Sequence, residues 1–471
     1  MPSSTLNVPA TPGREVANIA IPVSLEFVFI VALSLVNQLI VASLGTVAVA
    51  AVGFMNSINL IFVMTLGALG TSASILVARA FGAQREKELS TVVSSALLTA
   101  GLISTLLALP FILWPSEFLR LVGSSPEVIA SGASYLAVLA LSWPFAVVAA
   151  VFTGILRSAN HPRSSLAATM PTVVLTPIIA LILVFGWGPI PALGVVGAAW
   201  AITITTILKA AILAFQTYPL YKIAQWKLPA GLRNWRAVIV PLFVLGIPLG
   251  LTNIFWTTGN FIYNVIAQHI SDDALASMQI VWALEAIFIV GSLGLFSAVT
   301  ALVGRAVGAG DGTLAAAWVK KIKRIGAMTG LIFGVLFALS SLATPWLYPE
   351  IGPAVLIPVT VGILLNASIQ TFKVRIGLMG AAILPSGDDV RSVVIGDFIS
   401  PFLVGIPLAL ILSFLTPLGV YGIFVARTIE EFFKFGFFSW RQRRIQWDAV
   451  AARHFTADPM PEDPLEGLIQ V

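Results

Sequence analysis

Side chains able to do chemistry are scarce in this sequence: only 10% of its 471 residues are charged, and 58% are hydrophobic. Several of those charges interrupt long apolar runs. Glu26 lies in one, and Glu285 in another, within Val281-Trp282-Ala283-Leu284-Glu285-Ala286-Ile287. An ionisable group in hydrocarbon costs about 3 kcal/mol or more, so each needs a partner or a use. Desolvation favours the neutral form of a carboxyl, and the natural use of such a group is to take up and release protons. Glu285 is predicted to be the deepest acid, either titrating or held as a neutral, hydrogen-bonded packing residue. Glu26 precedes Asn37 by eleven residues, about three helical turns and roughly 16 Å. The two share a helix face, so Glu26 is expected on the same wall as Asn37 unless it snorkels away.

Other charges are grouped. Arg427 with Glu431 and Glu430 with Lys434 stand four apart, a spacing that predicts an ion-pair ladder along one helix. Asp397 begins an apolar run and is expected near its membrane interface. Lys373 and Arg375 are two apart and cannot face the same way, so one of them is predicted to reach the headgroups.

With no cysteine and only three scattered histidines, His161, His269 and His454, the sequence offers neither thiol chemistry nor a histidine-rich metal centre. It holds no phosphate-binding glycine loop of the Walker type, which argues against ATP hydrolysis. No nucleophile and base cluster within the apolar runs, which argues against an intramembrane enzyme.

These residues must be positioned by membrane helices. A mean hydropathy of +0.98 describes a polytopic membrane protein. About 20 apolar residues cross a bilayer, and the largely apolar runs predict twelve spans near 17–44, 48–78, 90–114, 128–152, 166–188, 192–216, 237–267, 274–304, 315–347, 351–380, 393–415 and 418–438. The polar start, Met1 to Glu15, leads into a run too long for a signal-peptide core, so the first span is expected to be retained.

The chain also repeats itself. Ile21-Pro22-Val23-Ser24-Leu25 returns as Ile247-Pro248-Leu249-Gly250-Leu251, and Val77-Ala78-Arg79-Ala80-Phe81-Gly82-Ala83 returns as Val303-Gly304-Arg305-Ala306-Val307-Gly308-Ala309, both 226 residues on. Leu193-Gly194-Val195-Val196-Gly197 is echoed by Leu418-Gly419-Val420-Tyr421-Gly422, and Lys209 by Lys434. Pro22 and Pro248 are therefore mates, and a matched kink is expected. Six spans per half make the halves parallel repeats, and paired bundles of this kind point to transport. The expected organisation is a bundle over 1–216, a linker over 217–236, a second bundle over 237–440, and a tail over 441–471 that is rich in proline and acid and expected to be disordered.

Arg85, Lys87, Arg157, Arg163, Lys222 to Arg236, Lys320 to Arg324, Arg391 and Arg441 to Arg444 fall on one face of this scheme, whereas the opposite loops hold Arg120 as their only basic residue. By the positive-inside rule the basic face and both termini are cytoplasmic. The net charge of +5 is thus topological and not a nucleic-acid footprint.

Ala78-Arg79-Ala80-Phe81-Gly82-Ala83-Gln84 after the second span, and its mate Gly304-Arg305-Ala306-Val307-Gly308-Ala309-Gly310, resemble the signature of the MATE (multidrug and toxin extrusion) transporters. So do Gly154-Ile155-Leu156-Arg157-Ser158-Ala159-Asn160-His161-Pro162 and its partner Ala382-Ile383-Leu384-Pro385-Ser386-Gly387-Asp388-Asp389. The resemblance runs from about Ile19 to Arg444 and implies an all-α V-shaped pair of six-helix bundles. It implies a secondary exporter of amphipathic, often cationic, organic compounds in exchange for protons or sodium ions, with no organic cofactor. A monomer in a prokaryotic inner membrane is the expected setting.

The resemblance also implies site residues. The family's first-helix aspartate falls on Asn37, and its fifth-helix asparagine and aspartate fall on Thr172 and Thr176. Thr203 stands near a sixth-span contributor, and Trp256 occupies the seventh-helix position of a further acid. An amide does not change charge near neutral pH, so the coupling acids must be others: Glu285, Glu26, Glu430, Glu431 and Asp397 are the candidates. Asn37, Thr172, Thr176, Thr203, Trp256, Asn59 and Gln279 are the expected cavity residues. Two alternatives remain: a flippase for lipid-linked precursors, which would use Arg427, Lys373 and Arg375 to hold a pyrophosphate, and a non-transporting receptor or scaffold.

Overall fold

A computed structural model describes residues 12–42, 44, 46–121, 126–189, 191–227, 232–348 and 352–456. Among them the architecture is helical, without strands. In lipid every backbone amide must be satisfied within its own segment, which is what long apolar helices achieve.

The first half holds α1 (Pro12–Ala42), α2 (Thr46–Gly82), α3 (Glu86–Leu113), the short α4 (Pro115–Leu121), α5 (Pro126–Ser158), α6 (Pro162–Phe185) and α7 (Val195–Phe215). The second holds α8 (Leu232–Ile270), α9 (Asp272–Val290), α10 (Leu293–Gly308), α11 (Gly312–Leu347), α12 (Pro353–Ser368), α13 (Gln370–Leu378), α14 (Leu384–Ser386), α15 (Val390–Ile399), α16 (Ile406–Phe414), α17 (Val420–Arg443) and α18 (Trp447–Thr456).

Each of the twelve expected spans is met by a helix or a broken helix. Among the described residues, ten segments are long and apolar enough to cross a membrane, and α9 with α10 make one of them. An eleventh is the pair from α12 to α14, bent by 53° at its break. The twelfth, α17, has the length at 24 residues but carries Arg427, Glu430, Glu431 and Lys434. The expected disordered tail begins instead with a helix, because Trp447, Val450 and Ala451 are buried on one side of α18. The remaining tail, 457–471, lies outside the described residues.

The repeated motifs have a backbone cause. Gln84 and its mate Gly310 have φ of 56° and 77°, Asn160 and Asp388 have 71° and 64°, and Gly194 and Gly419 have 55° and 52°. Each pair turns the chain between two helices through the left-handed region, where glycine, asparagine and aspartate are least strained. Asp311 and Asp389 then accept from the backbone N–H of Leu314 and Ser392 as N-caps of α11 and α15.

Two compact units result. Residues 12–24 cluster with 251–455, and residues 25–250 form the other unit. The divisions fall inside α1 and α8, each close to a repeat-mate proline. In the first unit Ser24 donates to the Gly291 carbonyl at 2.7 Å, and Gly294 lies against the Ala20 carbonyl. In the second, Gly250 packs on Thr65 and Gly246 on Leu69. Ser24 with Gly291 in one unit and Gly250 with Thr65 in the other are repeat mates.

Candidate functional site

In the unit of residues 25–250, Glu26 is only 2% exposed. One of its carboxylate oxygens accepts from Arg157 Nη2 at 2.7 Å and from Ser165 Oγ at 2.5 Å. The other accepts from Thr169 Oγ1 at 2.9 Å and from Lys209 Nζ at 3.2 Å. The donors come from α5, α6 and α7, so one acid of α1 fastens three other helices. Two cations and two hydroxyls hold the ionised form, which answers the cost of burying it.

Ser165, Thr169, Thr172 and Thr176 follow one another at four- and three-residue steps on one face of α6. Thr172 donates to the Thr169 carbonyl at 2.7 Å, and Thr176 donates to the Thr172 carbonyl and to Thr205 Oγ1 at 2.6 and 2.9 Å. Thr203 donates to the Val138 and Ala199 carbonyls, both at 2.9 Å. All three expected cavity threonines are buried. Asn37 is half-buried, and its Oδ1 is a buried oxygen with no hydrogen-bond partner among the described residues. Asn59 accepts from the indole N–H of the fully buried Trp143 at 2.8 Å, and that indole is stacked on Phe62.

In the unit holding residues 251–455, Glu285 of α9 is buried and paired with Lys373 Nζ at 2.5 Å. The same ammonium donates to Asn366 Oδ1 at 2.6 Å, and Asn366 donates in turn to the Gly362 carbonyl at 2.8 Å. Lys373 thus turns inward and not to the headgroups, while Arg375 lies over the Phe435 ring at 4.9 Å. The ladder expected along α17 is replaced by pairings between helices. Lys434 binds Asp397 of α15 at 2.5 Å, so Asp397 is a partly buried member of an ion pair. Glu430 accepts from Tyr263 Oη at 2.5 Å. Arg427 donates to Asn260 Oδ1 at 2.9 Å and stacks over Tyr263 and Trp282. Four-residue spacing allowed an intrahelical pair, but facing helices offered desolvated partners at better geometry. Glu431 is half-buried, Trp256 is exposed, and Gln279 is exposed with its amide donating to Asn264 at 2.9 Å.

The repeated lysines, Lys209 and Lys434, each pair with an acid from another helix, Glu26 in one unit and Asp397 in the other. In the sequence the two lysines are only an echo, and Arg157 falls among the basic residues expected on the cytoplasmic face. A signal was available: Glu26 is the lone acid of the first apolar run, and Lys209 ends the uncharged stretch that begins at Leu166.

Comparison with known proteins bears directly on this paired geometry. The MatE family model matches twice, over residues 22–183 and 248–411, one match in each half. The chain belongs to the MatE family. Among relatives of this MatE protein, "Probable multidrug resistance protein NorM" of Caulobacter vibrioides (strain ATCC 19089 / CIP 103742 / CB 15) is 28% identical over 447 residues, covering 93% of both chains. "Probable multidrug resistance protein YoeA" of Bacillus subtilis (strain 168) is 26% identical over 296 residues, and there the alignment spans only 62% of each chain. A solved structure of a MATE protein in the bent conformation superposes with a TM-score of 0.85 at 18% identity, covering 94% of this chain and 98% of that one. The MatE protein therefore has the fold of these membrane transporters.

Proposed function

We propose that this MatE protein is a secondary exporter of amphipathic, cationic organic compounds, driven through alternating access by a proton or sodium gradient. The observation that carries the reading is the family match in both halves. The names of the relatives, multidrug resistance proteins of bacteria, support efflux and an inner-membrane setting. The basic loops support a cytoplasmic position for both termini.

Coupling is assigned first to Glu285. Four donors fix Glu26 as an anion, which suits a structural post, whereas Glu285 has one ammonium partner. Protonating Glu285 would release Lys373 from α9, and a proton could thereby loosen one helix from another. Asp397 with Lys434, Glu430 with Tyr263, and half-buried Glu431 are the remaining candidates in that unit. Asn37 offers an unpartnered amide oxygen to a solute's hydrogen-bond donor, and exposed Trp256 offers a ring face to a cation. Thr172, Thr176 and Thr203, already donating to backbone carbonyls, would shape a wall without binding; Asn59 and Gln279 would orient their neighbours.

The test is extrusion of a fluorescent organic cation from proteoliposomes with and without a pH or sodium gradient. Glu285→Gln is expected to abolish gradient-driven transport while binding stays measurable. Full transport by that variant would make the carboxyl structural, and wild-type transport indifferent to both gradients would remove the exporter reading.

A further inference from the structure

One cluster takes no part in the networks above. Lys323 of α11 and Arg375 of α13 both reach the same end of α17, the first at Gln442 beside Arg443 and the second at Phe435, near enough for both guanidinium groups to oppose the Lys323 charge. Lys323 is half-buried, and its Nζ donates to Gln442 Oε1 at 2.5 Å. Arg375 is held over Phe435, and its Nε is buried with no hydrogen-bond partner among the described residues. Asp389, at the same end of α17, is already taken by Arg441 at 2.9 Å. Three cations on separate helices, with an orphaned buried N–H among them, ask for an anion.

One face of α17 itself carries a shallow, open groove lined by Phe432, Phe433, Gly436, Phe437 and Trp440. Nothing approaches within 4 Å of where a Gly436 side chain would begin. Arg443 follows Gly436 by seven residues, about two turns, and so returns to the same face of α17, while Arg444 follows Trp440 by four. The Arg444 guanidinium lies 4.1 Å from the Trp440 ring centroid. An apolar furrow on a helix in a bilayer, ending in tryptophan and arginine, matches a lipid whose tail is apolar and whose headgroup is anionic.

We propose that Lys323, Arg375 and Arg443 bind the phosphate of an anionic phospholipid whose acyl chain lies along the α17 groove at Gly436. Phosphate oxygens accept from the two guanidinium groups and the ammonium, relieving their mutual repulsion and tying α11, α13 and α17 together.

The full-length protein in nanodiscs of phosphatidylcholine, with or without phosphatidylglycerol, provides the test, read by native mass spectrometry of retained lipid and by thermal unfolding. Wild type is expected to retain phosphatidylglycerol preferentially and to unfold several degrees higher with it. Arg375→Gln and Arg443→Gln should each lower that retention about tenfold, the loss of one charge-assisted contact. Arg443 is exposed, so its variant folds even if that of Arg375 does not, and Arg391→Gln on α15 should change nothing. Equal retention by the Arg443 and Arg391 variants would overturn the proposal. Stabilisation of wild type by inorganic phosphate alone, without preference among lipids, would overturn the lipid assignment.

Discussion

Glu26 and Glu285 are both carboxyls in apolar helices, and their surroundings give them different work. Glu26 is coordinated by Arg157, Ser165, Thr169 and Lys209. Removing one partner of a buried ion pair strands the other, at about 3–5 kcal/mol. Glu26→Gln is therefore expected to lower the unfolding temperature sharply, and Glu26→Gln with Lys209→Met to cost much less than the sum of the two single changes. A thermal double-mutant cycle checks this, and additivity would mean that the Lys209 contact at 3.2 Å contributes nothing. Asn37 has the opposite problem, a buried oxygen without a donor among the described residues. Asn37→Asp supplies an ionisable group at that point and is expected to shift the pH or sodium dependence of transport. An unchanged profile would point coupling elsewhere. Which residues would be buried charges was legible from the sequence, since each interrupts an apolar run; their partners were not, because spacing along one helix says nothing about facing helices.

Between elements, close approach decides what can be changed. Gly294 at the start of α10 lies against the Ala20 carbonyl of α1, whereas Gly67 of α2 has nothing within 4 Å of the place a side chain would occupy. Both are helix-forming stretches of similar apolarity, so propensity alone treats the two alike. Gly294→Val is expected to destabilise by about 1–3 kcal/mol or more through overpacking, and Gly67→Val to be tolerated. Unfolding of the purified variants, or their folded yield in detergent, measures the contrast. The broken segments follow the same logic. The apolar run predicts one span near 351–380, and the chain there bends by 53° between α12 and α13, where Gly330 and Gly334 of α11 meet the backbone of Thr371 and Ala367. That bend belongs to packing against α11 and leaves no mark in composition.

At the scale of the whole molecule, the internal repeat is the organising fact. It is written in the motifs, and in the left-handed turns at Gln84 and Gly310, Asn160 and Asp388, and Gly194 and Gly419. An even number of spans per half predicts that equivalent loops lie on one side of the membrane. Because the chain has no cysteine, single-cysteine variants at Arg85 and Lys320 can be labelled without background. Both are expected to react only from the cytoplasmic side, and labelling from opposite sides would end the parallel-repeat reading.

The sequence by itself determined the class of protein, the number and rough placement of its helices, the repeat and the family, because hydropathy, turn chemistry and self-similarity are local and additive along the chain. Tertiary structure alone decided that Lys434 meets Asp397 and not Glu430, that Lys373 turns to Glu285, and that residues 12–24 cluster with 251–455. In a low-dielectric interior a charge takes the partner with the best geometry, and geometry between helices is set by packing far from either residue in sequence.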